Sequence, residues 1–243
     1  VLRFFLPPHA WSTDPALIGE EAKHCALVLR SSPGDIVEVF DGTGRCTRAK
    51  LLSVTKSRVA LGLEVCPSVP QVLAPQITLF QAIPKGKTMD LIVQKAVELG
   101  VAIIQPVLTR HTVVRLEPEE AQRKAEKWQR VALEACKQCG QNTLPEVRLP
   151  LPLHEALATA SPASIRVLAS LAPGARPLRD LLRGESPQSV DVLVGPEGDF
   201  SAEETAAALA AGFLAATLGS IVLRAETAAF FALGALRYEF GDA

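Results

Sequence analysis

Two short stretches of this 243-residue chain combine residue types that suit a ligand. The first, VDVLVGPEGDFSAEE (190–204), is an apolar run through Val194, then Gly195-Pro196-Glu197-Gly198, then a helix start. The second, LGSIVLRAETA (218–228), follows the same plan with Leu218, Gly219, Leu223, Arg224, Glu226 and Thr227. Glycines at a strand end let backbone N–H and C=O groups approach a ligand with no Cβ in between. In open α/β sheets ligands bind beyond the carboxyl ends of the strands. One such turn is an ordinary connection, but two, each followed at once by a helix, point to a binding site. Arg224 supplies a cation there, and Glu197 and Glu226 supply carboxylates.

Other motifs carry less. KGKT (85–88) ends like a phosphate-binding P-loop, but that motif needs a glycine at position 81, which is Gln. Its lysines can still meet phosphate as point charges. Cys136 and Cys139 have CxxC spacing within a helical pattern, without a second pair, and His111 and His154 stand at no ligand spacing. Core packing is the expectation for both thiols, and no metal site is expected. His24 reads as a packing residue at a strand or helix end.

The elements that must position the loops follow from periodicity. ITLFQAI, VAIIQPVLT, SIRVLASL, VDVLVG and AATLG read as strands. Between them Met89, Ile92, Val93, Ala96 and Val97 mark an amphipathic helix closed by Gly100. Ala125, Trp128, Ala132, Ala135, Cys136 and Cys139 mark a longer one closed by Gly140. Ser201 and Glu204 form a capping box that starts a helix just past the first loop. This alternation predicts an α/β domain over 76–243 with a largely parallel sheet. Its last helix, TAAFFALGALRYEF, is apolar on nearly every side and is expected to be buried all round, in part against a second copy. Residues 1–67 have a different grammar. IVEVF (36–40), the turn Asp41-Gly42-Thr43-Gly44, RCTRAKLLSV and RVALGLEV predict a small β-barrel or sandwich. The Pro-rich run 68–75 is the expected linker.

Hydrophobic content of 48% indicates a folded chain with a sizeable core. No apolar run reaches the roughly 18 residues of a membrane span, and the first residues lack a secretory pattern. Five cysteines without a disulfide framework fit reduced thiols, so a cytoplasmic protein is expected. Net charge is −1, against a generally basic nucleic-acid binder. The distribution is uneven: residues 1–115 carry 13 Lys+Arg against 9 Asp+Glu, and residues 116–243 carry 12 against 17. A basic N-terminal half suits a polyanion.

At GPEG-x-F-S-x-x-E, LG-x-x-x-LR-x-ETA, KG-x-x-M-x-x-x-x-QKA-x-ELGV (85–101) and A-x-EA-x-KQ-x-G (132–140), the chain resembles the RsmE family. These are bacterial small-subunit rRNA methyltransferases that modify uridine at N3. H-x-x-x-VLR-x-x-x-GD, from His24 to Asp35, and FDG (40–42) agree too, so the resemblance spans nearly the whole chain. It implies a PUA-like β-barrel followed by a SPOUT-type α/β domain with a C-terminal trefoil knot. It also implies S-adenosylmethionine in the knot, a homodimer, and 16S rRNA, in the small ribosomal subunit, as substrate. The cofactor residues expected are Leu171, Val194, Gly195, Pro196, Glu197, Gly198, Leu218, Gly219, Leu223, Arg224 and Thr227. The chain departs from the family at Asp199, where a second glycine is usual, at Ser220-Ile221-Val222, where a basic residue is common, and at Gln141, where Arg is common.

Uridine N3 is a poor nucleophile while protonated. Ionising an imide about two units below its pKa costs roughly 3 kcal/mol. A site for this reaction must stabilise a developing anion, remove a proton, or both. Arg224 is the expected anion stabiliser, with Glu197 and Glu226 as the carboxylates that orient it or bind ribose hydroxyls. RNA contacts are expected from Arg3, His24, Arg30, Lys85, Lys87, Lys95, Arg110 and Arg115. Two other functions stay open at this point: a non-catalytic RNA-binding or ribosome-assembly factor, and a nucleotide-dependent small-molecule enzyme lacking a phosphate loop.

Overall fold

The computed structural model describes residues 1–64, 75–112, 116–161 and 165–241. The chain divides into two compact units, one of residues 1–72 with 136–144, the other of 73–135 with 145–243. Most of the expected linker, 68–75, lies outside the described residues, as do Cys66 and Arg115.

The first unit contains β1 (Arg3–Phe5), β2 (Ala16–Ile18), helix α1 (Gly19–Lys23), β3 (Ile36–Phe40), β4 (Cys46–Val54) and β5 (Arg58–Leu63). One sheet joins the five strands in the order β1-β3-β4-β5-β2. Period-two alternation sets its buried face: Val37, Val39, Ala49, Leu51, Val59 and Leu61 are buried, while Arg48 and Lys50 face out. The turn between β3 and β4 is built on Asp41, which is buried. Its carboxylate accepts the N–H of Thr43 at 2.8 Å, the Thr43 hydroxyl at 2.9 Å and the N–H of Arg45 at 3.1 Å. The Arg45 guanidinium adds an ion pair at 3.0 Å. Burial pushes the Asp41 carboxyl up, but these donors outweigh it and hold it below the ordinary carboxylate range.

The second unit carries β6 (Gln76–Ala82), α2 (Thr88–Glu98), β7 (Ile103–Leu108) and α3 (Pro118–Cys139). There follow β8 (Glu146–Val147), β9 (Leu151–Pro152), α4 (Leu153–Ala158), β10 (Ile165–Ala169), β11 (Arg176–Pro177) and α5 (Leu178–Leu182). β12 (Ser189–Val194), α6 (Ala202–Ala210), β13 (Leu214–Thr217) and α7 (Ala225–Phe240) complete it. Its strands run β11-β13-β10-β12-β6-β7-β8, with β9 also on β7, and every pairing is parallel. Central parallel strands are covered on both faces, which is why β12 reads as continuous apolar sequence from Val192 to Val194.

The α2 stripe Met89, Ile92, Val93, Ala96 and Val97 is buried as its spacing predicts. One helix differs from expectation at its end. Cys139 is exposed although Ala125, Trp128, Ala132, Ala135 and Cys136 are buried, because it is the last residue of α3, past the packed part of the stripe. In the single chain α7 is buried along one stripe, and the face expected to meet a second copy is open. Its inward stripe is Ala225, Ala229, Ala232, Leu233 and Leu236, while Phe231 is 50% and Tyr238 91% exposed on another face.

Candidate active site

β12 lies between β10 and β6, so the loop after it emerges at the middle of the sheet. A cleft of about 500 Å³ opens there, beyond the carboxyl ends of β10, β12 and β13. Val194, Gly195, Pro196, Glu197, Gly198 and Asp199 form one wall. Leu218, Gly219, Ile221, Val222, Leu223 and Arg224 form another, and Ala169, Ser170 and Leu171 a third. Ala225 and Ala228 of α7 complete the lining.

The first wall is a tight turn in which the Asp199 N–H donates to the Pro196 carbonyl at 3.0 Å. A Cβ on Gly195 would stand 3.1 Å from the Phe200 ring and 3.2 Å from Asp199 Oδ1, so a side chain there would shift the turn. The capping box is present: Ser201 Oγ accepts the Glu204 N–H at 3.2 Å, and the Glu204 carboxylate accepts the Ser201 N–H at 2.9 Å. The loops after β6 and β7 brace this wall. The Lys85 N–H donates to Glu197 Oε1 at 3.0 Å, the Arg110 N–H donates to Glu204 Oε1 at 2.7 Å, and His111 Nδ1 lies 2.8 Å from the Asp199 carbonyl oxygen. Glu197 is therefore anchored through one carboxylate oxygen.

In the second wall Thr217 Oγ1 accepts the Gly219 N–H at 3.3 Å and donates to the Gly219 carbonyl at 3.0 Å. Arg224 is the residue before α7 and caps nothing with its side chain. Its guanidinium is exposed and, among the described residues, makes no ion pair or side-chain hydrogen bond. A planar cation with free donors at the mouth of an apolar cleft can clamp and stabilise an anionic group.

The cleft gathers the expected cofactor residues with the exception of Thr227. Thr227 and Glu226 fall on the α7 faces turned away from Ala225 and Ala228, so Glu226 does not border the cleft. Ala169, Ser170, Asp199, Ile221, Val222, Ala225 and Ala228 border it without having been expected to. Their only sequence signal is adjacency to a strand end or to the two glycine loops.

The RNA candidates separate. Lys85, Lys87 and Arg110 are exposed on the loops after β6 and β7, beside the first wall. Lys95 is on α2 and pairs with Glu98 at 2.8 Å. In the first unit Arg30 is exposed, and the half-buried His24 meets Phe4 edge to face at 6.3 Å. Arg3 is the correction: its side chain is only 8% exposed and paired with Glu38. It also donates to the Cys136 carbonyl at 2.8 Å and to Asn142 Oδ1. Glu38 pairs the buried charge and the two carbonyl acceptors anchor it, while Nε itself makes no hydrogen bond among the described residues, so Arg3 acts within this unit and presents little charge outward.

Burial raises the Cys136 thiol to about 12 and the Cys46 thiol to about 11, which keeps both protonated and unreactive at neutral pH. Among the described residues no three His, Cys, Asp or Glu side chains converge as metal ligands, and no helix is long and apolar enough to cross a membrane.

Residues 72–237 match the family model of an RNA methyltransferase domain, and residues 17–64 match an RNA methyltransferase PUA domain. The chain is 33% identical over 208 residues to the ribosomal RNA small subunit methyltransferase E of Synechocystis, covering 85% of this chain and 67% of that protein. It superposes with a TM-score of 0.91 on a putative methyltransferase of Legionella pneumophila solved with SAM bound, at 33% identity over 100% of this chain and 99% of that one. For the ribosomal RNA small subunit methyltransferase E of Neisseria gonorrhoeae bound to S-adenosyl methionine, the TM-score is 0.88 at 32% identity, over 99% and 98% of the two chains.

Proposed function

The chain belongs to the RNA methyltransferase family of the ribosomal RNA small subunit methyltransferase E proteins, and from that premise we propose that it methylates N3 of a uridine in 16S rRNA with S-adenosylmethionine as donor. The observation that carries this is the cleft where both glycine loops meet Arg224, which is unpaired among the described residues.

The cleft suits the cofactor. Its volume of about 500 Å³ falls within the range of small-molecule pockets. Leu171, Leu218 and Leu223 offer apolar contact for an adenine, and the backbone of Gly195–Gly198 and Leu218–Gly219 offers N–H and C=O groups to read its edge. When bound, S-adenosylmethionine supplies an electrophilic methyl group on a sulfonium. The chain's own part is positioning and charge. Arg224 stands at the cleft mouth, where it would stabilise the negative charge that grows on the uracil as N3 gives its proton to water. Glu197, fixed by the Lys85 N–H, orients polar groups at the cleft mouth. Glu226 lies off the cleft and does not pair with Arg224 among the described residues, so of the two expected carboxylates the one at the cleft is Glu197.

The strand order, with β12 between β10 and β6 and α7 returning to α2, supports a C-terminal trefoil knot. The exposed apolar Ile221, Val222, Phe231 and Tyr238 support a homodimer built on the outward face of α7 and the second glycine loop. Residues 1–67 serve as a PUA-like RNA-binding domain and 76–243 as the methyltransferase domain, in the cytoplasm, with the small ribosomal subunit as the setting. Lys85, Lys87, Arg110 and Arg30 supply phosphate contacts, with Arg115 a further candidate. A non-catalytic RNA-binding role leaves the cofactor cleft, and the position of Arg224 at its mouth, without purpose. Calorimetry tests the reading: the protein should bind S-adenosylmethionine, and absence of heat at millimolar cofactor would contradict it.

A further inference from the structure

The cofactor wall contains one residue in an unfavourable backbone conformation. Asp199 has φ +57°, in the left-handed region that glycine enters freely and side-chain-bearing residues rarely do. Two hydrogen bonds hold it there. Its own Oδ1 accepts the Phe200 N–H at 2.8 Å, and its carbonyl oxygen lies 2.8 Å from His111 Nδ1. A carbonyl only accepts, so Nδ1 carries the proton. The same imidazole lies beside Gly198, where an added Cβ would stand 3.5 Å from the ring.

The three braces on this wall are not equivalent. Those from Lys85 and Arg110 use backbone N–H groups, which nearly any residue supplies. The brace from His111 uses a side chain, so it depends on residue identity. His111 does not border the cleft and can act on a bound cofactor only through the wall.

We propose that His111 is a positioning residue for the cofactor site: its Nδ1–H holds the Asp199 carbonyl, and this bond keeps the Gly195–Asp199 wall in shape where aspartate occupies a left-handed position. The proposal rests on the cofactor reading above. It assigns His111 and Asp199 to one unit, so their effects on cofactor use should depend on each other.

The test measures KM for S-adenosylmethionine, kcat and melting temperature in the full chain. His111→Leu removes the donor and should raise KM about five- to tenfold with kcat changed less than about twofold. His111→Asn keeps a donor near the Nδ1 position and should stay within about threefold of wild type. Asn and Asp have the same shape, so His111→Asp, which offers only an acceptor, controls for folding and should lose affinity as Leu does. In an Asp199→Gly background, where the left-handed position carries no strain, the factor caused by His111→Leu should fall to about twofold or less. A His111→Leu or His111→Asp KM within about twofold of wild type overturns the assignment, and so does an equal His111→Leu factor in the wild-type and Asp199→Gly backgrounds. Failure of the wild-type protein to bind S-adenosylmethionine at all overturns the cofactor reading and this assignment together.

Discussion

In the first unit the Asp41 carboxylate is closed in by Thr43 and Arg45, and the Arg3 guanidinium by Glu38, Asn142 and the Cys136 carbonyl. In the second unit Arg224 stands at a cleft with no protein partner among the described residues, and the backbone around Gly195 and Gly219 lines that cleft. The same residue type, arginine, is a structural bolt in one unit and a free donor in the other. Residue type and net charge do not separate these roles. What separates them is whether the chain already satisfies the group, since a satisfied charge contributes to folding and an unsatisfied one remains available to a ligand.

That contrast can be broken at its extremes. Arg224→Ala should lower methylation by about a thousandfold or more, roughly 4 kcal/mol of transition-state stabilisation, while calorimetric affinity for S-adenosylmethionine moves less than about threefold. Near-normal turnover would sink the role given to Arg224. Gly100→Ala probes the scaffold behind the site. Gly100 has φ +76°, and an added Cβ would lie 2.7 Å from the Arg237 guanidinium, which donates to the Leu99 carbonyl at 3.0 Å and also to the Gly100 carbonyl. A loss of about 2–3 kcal/mol in denaturant unfolding is expected, and a change below about 0.5 kcal/mol would show that α7 does not depend on this contact.

A pair of variants then sets the two arginine roles side by side. Arg3→Ala should lower stability by about 2 kcal/mol, because it leaves Glu38 without its partner. It should leave the salt dependence of RNA affinity unchanged. Lys87→Ala should do the reverse, with stability within about 0.5 kcal/mol and a salt slope smaller by about one. Exchange of these outcomes would place the RNA surface on the first strand instead of the loop after β6.

The smallest expected effect is acid dependence at Asp41. Its folded carboxyl titrates below its ordinary value, so its contribution is complete above about pH 5. It is lost as the pH falls through the unfolded value of about 3.9 and then the folded one. Asp41→Asn should cost about 1–3 kcal/mol at neutral pH, and the gap to wild type should narrow below about pH 4. A gap that stays constant down to about pH 3 would mean that shape, not charge, holds the turn.

Much of this molecule is legible in its sequence because local physics decides it. The α2 stripe, the Ser201–Glu204 capping box, the alternating β3 and β5 and the Gly100 stop all follow from spacing and cap chemistry. Most of the cleft is legible too, since Gly195–Gly198 and Leu218–Gly219 are recognisable strand-end turns. What escapes is decided by partners distant in the chain. Nothing near Arg3 in sequence announces Asn142 or Cys136. His111 shows no link to Asp199 until parallel pairing of β7, β6 and β12 brings their carboxyl ends together. The α7 pattern looks uniformly apolar because alanine is apolar on any face, and only packing reveals that Phe231 and Tyr238 point away from the core. The last helical turn of α3 fails for a similar reason, since spacing continues to Cys139 after the packing partners end.

The central claim is that the cleft delivers a methyl group to uridine N3 of small-subunit rRNA. Nucleoside mass spectrometry of 16S rRNA from cells with and without the gene tests it most directly. The account predicts one 3-methyluridine present with the gene, absent without it, and restored by the wild-type protein but not by Arg224→Ala. Identical 3-methyluridine content in both strains would contradict it.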